Sequence, residues 1–139
     1  MTKKFPTHEK TVFLLCEDVR HEGGGKFSLL GVISSNHITT ERRPEDAGKE
    51  GAQAMPSLTF VFIFRDGEGE FTLRVGVISP DGKELAPSES RIQKKEPDEA
   101  LNSIFKLAPF VVIPGKYKTY LLLDNERYEY EFVVQEKKA

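Results

Sequence analysis

The sequence predicts an all-β protein, a two-sheet antiparallel immunoglobulin-like β-sandwich of about eight strands with at most one short helix. Three observations lead to this prediction. Hydrophobic residues recur at every second position in several segments, which places them on one face of a strand. Turn-forming Gly, Pro, Asp and Asn residues separate these segments. Near the C-terminus, PGKY at 114–117 resembles the tyrosine corner of such sandwiches. In that motif the tyrosine hydroxyl forms a hydrogen bond with the nearby backbone. The alternative for Tyr117 is an aromatic residue that merely begins a strand.

The strands are expected, in chain order, at 11–19, 26–34, 57–65, 70–79, 88–94, 103–112, 116–123 and 127–135. The third is the clearest, because every second residue from Leu58 to Phe64 is a large hydrophobe. The sequences DGEG at 66–69, PDG at 80–82 and DNE at 124–126 provide turns after the third, fourth and seventh strands.

Two segments do not follow the strand pattern. At 97–101, Pro97 and the two acids after it predict a helix of one or two turns, since proline is favoured at the first helical position. The polar segment 36–56 has no apolar periodicity and exceeds the ~12–15 residues of most structureless connections. We interpret it as a mobile loop, with a functional loop as the alternative.

Composition predicts one soluble domain over residues 1–139. The net charge of -2 and the scattered basic residues argue against nucleic acid or a membrane surface as partner. The single cysteine, Cys16, cannot form an intramolecular disulfide, which suits a reducing compartment. No stretch approaches the ~20 apolar residues of a membrane helix. We therefore expect a cytoplasmic protein.

The stretch GGGK at 23–26 raises the question of a phosphate-binding loop. Such a loop needs Ser or Thr after the lysine and a helix behind it. Here Phe27 follows Lys26, and the next residues alternate as a strand. We interpret the glycines as a hairpin turn with positive φ. Gly31, inside the following strand, predicts a bulge or a close backbone approach.

Catalytic and metal-binding patterns are weak. The imidazole and thiol ligands are His8, His21, His37 and Cys16, and no two have the spacing of a metal site. Cys16 lies in the apolar register of Val12 and Leu14, which favours a small buried hydrophobe over a nucleophile. Neighbouring acids such as Glu17 and Asp18 point to opposite faces of a strand and cannot act as a catalytic pair. No catalytic residue, cofactor or metal is assigned.

Several central strands are apolar on both faces, although a two-layer sandwich needs only one apolar face per strand. The second faces define a candidate interaction surface, made of Leu30, Val32, Val61, Ile63, Tyr120 and Leu122. Such a surface is covered by a second copy of the chain, by the chain's own segments 97–101 or 36–56, or by another protein.

Three stretches, LLCEDV at 14–19, GKFSLLGV at 25–32 and PGKY at 114–117 with its closing hairpin, resemble a family of small single-domain bacterial proteins of unknown function. The resemblance implies a β-sandwich and a bacterial, cytoplasmic origin. It implies no catalytic residues.

The leading hypothesis is a non-enzymatic protein-interaction or assembly module, which contacts a protein partner or forms a homodimer. The first alternative is a small-ligand or carbohydrate-binding domain, although the lack of tryptophan argues against sugar stacking. The second is a hydrolytic enzyme, which would need His21, His37 or carboxylates to converge in one pocket.

Overall fold

The fold contains twelve β-strands among the residues that the structure describes. A computed structural model describes residues 3–40, 53–55, 57–85, 87–108 and 110–136, without the side chains of 53–55, 110–112 and 136. In chain order the strands are β1 (Thr11–His21), β2 (Phe27–Ile33), β3 (His37–Thr40), β4 (Gln53–Met55), β5 (Leu58–Phe64), β6 (Gly69–Ile78), β7 (Glu84–Leu85), β8 (Arg91–Lys95), β9 (Leu101–Leu107), β10 (Phe110–Val112), β11 (Gly115–Leu123) and β12 (Glu126–Glu136).

Two sheets contain most of these strands. The first has the order β2-β1-β5-β9 and is antiparallel throughout. The second has the order β3-β12-β11-β6, and both β7 and β8 pair with the free edge of β6. A short ladder of β4 and β10 continues the β5–β9 pair, because Met55 opposite Phe110 keeps the register of Leu58 opposite Leu107.

The core lies between the two sheets and is largely aromatic. Period-two alternation places Phe60 and Phe62 of β5 on the inner face, where both are fully buried. Rings meet across the gap between the sheets: the centroids of Phe60 and Phe132 are 5.7 Å apart, and those of Phe64 and Tyr128 are 4.9 Å apart. The predicted all-β, two-sheet arrangement is therefore confirmed.

Three details of the prediction are wrong. The expected helix at 97–101 is a turn over 97–99 followed by the start of β9, because Leu101 packs in the core and so short a helix has too few hydrogen bonds to offset its nucleation. The sheets are not wholly antiparallel, since β3 runs parallel to β12. The described residues also hold more strands than the expected eight.

The segment 36–56, expected to be a loop, begins and ends in strands. Residues 37–40 form β3 and residues 53–55 form β4. Ile38 of β3 is buried in the core, which explains why this polar stretch pairs with β12. Residues 41–52 and 56 lie outside the described residues.

The turn at GGGK is a hairpin, as predicted. Glu22 donates its backbone N–H to the carbonyl of Lys26 at 2.8 Å, and Gly24 and Gly25 have positive φ.

Gly31 also has a positive φ of 66°. The predicted bulge is absent, because the register is the same on both sides of Gly31, and the close approach is by a side chain: a Cβ on this residue would lie 2.7 Å from Cδ of Glu17.

The tyrosine corner is confirmed. The Tyr117 hydroxyl donates to the carbonyl of Ile113 at 2.8 Å and accepts the backbone N–H of the same residue at 2.9 Å. Its ring is fully buried and stacks on Phe132 with 5.0 Å between centroids. One side chain thereby fixes the chain where it enters β11.

An N-terminal strap, residues 3–10, closes one end of the two sheets. Lys4 and Glu68 exchange two backbone hydrogen bonds of 2.8 Å each. The Tyr128 hydroxyl donates to the carbonyl of Pro6 at 2.6 Å, and Asp66 accepts from the backbone N–H and hydroxyl of Thr7. The strap is thus bound to the β5–β6 turn and to β12.

We expect alkaline pH to destabilise the protein. Burial raises the pKa of Tyr117, Tyr128 and Tyr130 above their usual value, and for Tyr128 the nearby Glu126 and Asp66 add to the rise. The unfolded chain loses these protons near pH 10, whereas the folded chain keeps them, so stability is full below pH 10 and falls above it. Urea unfolding at a series of pH values between about 8 and 11 measures the free energy of unfolding at each pH. A value that stays constant above pH 10 would contradict the prediction.

Replacement of Ser103 by alanine is expected to stabilise the protein. It lies opposite Phe62 on the inner face of β9, and its buried hydroxyl oxygen makes no hydrogen bond with the described residues. Ser103→Ala should raise the free energy of unfolding by about 1 kcal/mol, because the desolvated hydroxyl is removed. Ser88→Ala is the matched control: this hydroxyl accepts the backbone N–H of Val75 at 2.9 Å, so its loss should destabilise. Equal destabilisation by both substitutions would contradict the prediction.

Candidate functional site

The six residues of the predicted interaction surface are divided between the outer faces of the two sheets. Leu30, Val32, Val61 and Ile63 lie on the four-stranded sheet, whereas Tyr120 and Leu122 lie on the six-stranded sheet. Because the core separates these faces, the six residues do not form one continuous surface. Each group has different surroundings.

On the outer face of the six-stranded sheet, neighbouring side chains cover Tyr120. The guanidinium of Arg127 lies 4.4 Å from the ring centroid of Tyr120, and the same guanidinium donates to the Glu129 carboxylate. Tyr120 lies over Gly76 of β6, where a Cβ would come within 2.6 Å of the hydroxyl. Tyr120 is consequently buried, whereas Ile92 of β8, which lies opposite Thr72 on this face, is exposed.

The outer face of the four-stranded sheet is different. Leu30 and Val32 of the edge strand β2 are 45% and 48% exposed. The same face holds half-buried hydrophobic residues on the neighbouring strands, and Val61 at its centre is fully buried. We call the accessible part of this face the outer apolar patch; it consists of Val12, Leu14, Leu30, Val32, Ile63 and Ile104.

An ion pair borders the outer apolar patch. Lys106 of β9 reaches past Thr59 of β5, and its Nζ lies 3.2 Å from Oδ1 of Asp18 on β1. Hydrogen bonds from the backbone N–H of Val19 and from Lys106 lower the pKa of Asp18, so the carboxylate stays ionised. The patch therefore has an apolar centre and a charged border, which is the usual anatomy of a protein interface.

Cys16 lies on this face but is fully buried, with its Sγ 3.3 Å from the carbonyl oxygen of Asp18. Burial raises the pKa of the thiol, and the charges of Asp18 and Glu17 add to the rise. We expect Cys16 to resist thiol reagents in the folded protein, because the thiolate is the reactive form. Ellman's reagent should label it only after denaturation, and fast labelling of the native protein would contradict the prediction.

The histidines that could bind a metal or take part in catalysis do not come together. His8 stacks on Tyr128 and contacts the Glu126 carboxylate at 3.1 Å, whereas His37 contacts Gln135 at 3.1 Å on the far edge of the second sheet. His21 is exposed at the end of β1. Among the described residues, no group of three or more His, Cys, Asp or Glu side chains could hold a metal ion.

Sequence reasoning missed part of the outer apolar patch. Val12 and Leu14 alternate with the core residues of β1, so the period-two signal was available to find them. Ile104 could not be assigned to this face without knowing where β9 begins. The ion pair between Asp18 and Lys106 joins residues 88 positions apart, and only the pairing of β9 with β5 brings them together.

The structure thus defines a class, a two-sheet all-β domain with an apolar patch on the outer face of its smaller sheet. Residues 11–135 match DUF6941, a family of unknown function, and the chain belongs to this family. The strap precedes the matched region. No curated protein matches the sequence. Within the described ranges, no helix is long and apolar enough to cross a membrane.

Proposed function

We propose that the protein is a non-enzymatic protein-interaction or assembly module, located in the cytoplasm, that binds its partner through the outer apolar patch. The exposure of Leu30 and Val32, each close to half, is the observation that carries the proposal. These two residues continue an apolar surface formed by Leu14, Ile63 and Ile104. Contiguous apolar surface on the outside of a protein usually marks a binding site for another protein.

We further propose that the sandwich is of the immunoglobulin-like type, with β5, β6, β9, β11 and β12 as strands B, C, E, F and G. Consecutive pairing of β12, β11 and β6 reproduces the G-F-C order, and pairing of β5 with β9 reproduces the B-E pair. The position of Tyr117 near the start of β11 matches the tyrosine corner of strand F. The β1–β2 hairpin then adds to the B-E sheet at the place of strand A.

Site-specific photo-crosslinking tests the interaction. A photoreactive amino acid replaces Val32 in the outer apolar patch or, as the matched control, Ile92 on β8. Ile92 is 71% exposed but belongs to the other sheet. In cells of the native host, the residue at position 32 should give discrete adducts with protein, whereas the residue at position 92 should not.

Exposure alone cannot produce this difference, because position 92 is the more exposed of the two. Equal adducts from both positions, or none from position 32, would contradict the proposed function.

A further inference from the structure

We propose that the end of the sandwich beneath the strap is a peptide-binding site, and that the strap of a second copy can occupy it in place of the chain's own strap. The site uses none of the residues of the outer apolar patch, so the inference does not depend on the proposed function. It names a second binding surface and the chemistry of the segment that this surface accepts.

The site recognises the backbone of an extended segment. Glu68 exchanges two backbone hydrogen bonds with Lys4, as a sheet edge does with an added strand. Gly67 lies directly beneath the strap, because a Cβ at this position would come within 2.7 Å of the Pro6 nitrogen and 2.8 Å of the Lys4 carbonyl oxygen. Glycine is the one residue that allows the two backbones to approach so closely.

The site also recognises side chains. Three residues of the strap each have a partner in the site: Lys3 at Asp124, Phe5 at Phe71 and Thr7 at Asp66. The ammonium lies 2.6 Å from its carboxylate, the ring centroids are 5.1 Å apart, and the threonine hydroxyl donates at 2.8 Å. The three residues alternate along the strap, which is the spacing that puts side chains on one side of an extended chain. The site therefore favours a segment with a lysine, an aromatic residue and a threonine at every second position.

The sheets hold the site in shape without the strap. Lys95 of β8 is buried and donates to the carbonyl of Gly67 at 3.1 Å. The Asp124 carboxylate accepts the backbone N–H of Thr72 at 2.8 Å, and the Asp124 backbone N–H donates to the Thr72 carbonyl at 2.8 Å. The turn and the carboxylate keep these supports when the strap leaves, so the empty site is already formed for a second segment.

The strap is held loosely enough to exchange. Of residues 3–10, Pro6 alone is buried, and the ring of Phe5 is 38% exposed. Five hydrogen bonds hold the strap. With the cost of ordering subtracted, such a set corresponds to a docked-to-open ratio of about 30 to about 900. The strap is then open in about 0.1–3% of molecules, which is enough for exchange.

The same ratio sets the affinity for a separate segment. A short tether gives the strap an effective concentration of about 1 mM at its own site. Division by the ratio gives a dissociation constant of about 1–30 μM for a free peptide at an empty site. In the wild-type chain the attached strap competes, so the apparent dissociation constant of the same peptide returns to about 1 mM.

The first experiment measures peptide binding to the full chain by fluorescence anisotropy. The probe is labelled KKFPTHEK, residues 3–10, and its control is a scrambled peptide of the same composition and charge. The protein is a strap variant that carries Lys3→Ala, Phe5→Ala and Thr7→Ala, so its site is unchanged and its own strap competes weakly. Circular dichroism confirms that the variant is folded. It should bind the probe at least about 30-fold more tightly than the wild type does, and more tightly than it binds the scrambled peptide.

A substitution in the site tests where the peptide binds. Asp66→Ala, added to the strap variant, removes the acceptor of the threonine hydroxyl and backbone N–H and should weaken peptide binding at least about tenfold. Asp81→Ala is the matched control. Asp81 also accepts a hydroxyl and a backbone N–H, from Ser79 and Lys83, and should leave the affinity for the peptide unchanged.

A mixture of two full chains tests the second copy as the source of the segment. The strap variant has an intact site and a weak strap, whereas Asp66→Ala alone has an intact strap and a weakened site. In sedimentation velocity at about 300 μM of each chain, the mixture should contain a heterodimer beyond any association of either chain alone.

A strap variant that binds the probe no better than the scrambled peptide would overturn the binding site. Equal affinity of the wild type and the strap variant would overturn it too, because the strap would then not be the competing ligand. Peptide binding without a heterodimer in the mixture would overturn the second copy as the source. Crosslinking at position 32 is unaffected by each of these results, so the proposed function is tested separately.

Discussion

Tyr117→Phe is expected to lower the free energy of unfolding by about 2 kcal/mol, since the tyrosine corner depends on a single oxygen atom. That oxygen both donates to and accepts from the backbone of Ile113. Phenylalanine keeps the ring and its packing on Phe132 but leaves a backbone N–H and a carbonyl without this partner. The two hydrogen bonds that are lost contribute about 1 kcal/mol each, which gives the expected total.

Tyr130→Phe is the matched control for this experiment. Tyr130 belongs to the same sheet, stacks on Phe13 with 4.7 Å between centroids and is partly buried. Its hydroxyl makes no hydrogen bond with the described residues, so the substitution should change stability by less than about 0.5 kcal/mol. Urea denaturation of the two variants beside the wild type gives both values. Equal effects of the two substitutions would show that the corner contributes no more than an ordinary aromatic residue.

Removal of the strap is expected to lower the free energy of unfolding by about 2–4 kcal/mol, with the fold retained. A chain beginning at Thr11 loses the two Lys4–Glu68 hydrogen bonds, the bond from Tyr128 to Pro6 and both bonds from Thr7 to Asp66. Each is worth about 1 kcal/mol, and the sum is partly offset because the strap no longer has to be ordered. The contact of Phe5 with Phe71, 5.1 Å between centroids, is lost as well.

The truncated protein should still unfold in one cooperative transition, because the region matched to DUF6941 begins at Thr11 and retains both sheets. Tyr128→Phe in the full chain is the comparison. It removes one of the strap's hydrogen bonds and should cost about 1 kcal/mol. A truncated protein as stable as the full chain would show that the strap is bound without net stabilisation. Loss of cooperative unfolding would show that the strap is part of the minimal fold.

The pattern of hydrophobic residues predicted most of the strands, because a strand buried on one face must repeat with period two. LTFVFIF and the alternation from Tyr128 to Val134 needed no tertiary information. The pattern failed where local and global preferences differ. Pro97 and its acids favour a helix start, yet Leu101 is needed in the core and is placed there by pairing with Phe64. The polar stretch HITT at 37–40 forms β3 because it pairs with the edge of β12.

The candidate site could be predicted only in part. Alternation showed that β2, β5 and β11 have two apolar faces, and this led to Leu30, Val32 and the other four residues. It could not show that Arg127 would cover Tyr120, because the cover depends on the pairing of β11 with β12. Nor could it show that Val61 would be fully buried while Val32 stayed about half exposed. The difference arises because β5 is a central strand and β2 an edge strand.

By itself, then, the sequence determined an all-β protein with two facing sheets, a glycine hairpin and a tyrosine corner. Each is a consequence of local periodicity, of backbone conformations favoured by glycine, or of a short motif. Only the tertiary structure decided which strands are neighbours, and with them the outer apolar patch and the ion pair of Asp18 with Lys106 that borders it. The physical reason is that exposure depends on what lies beside a strand in the folded sheet, and those neighbours are distant in the chain.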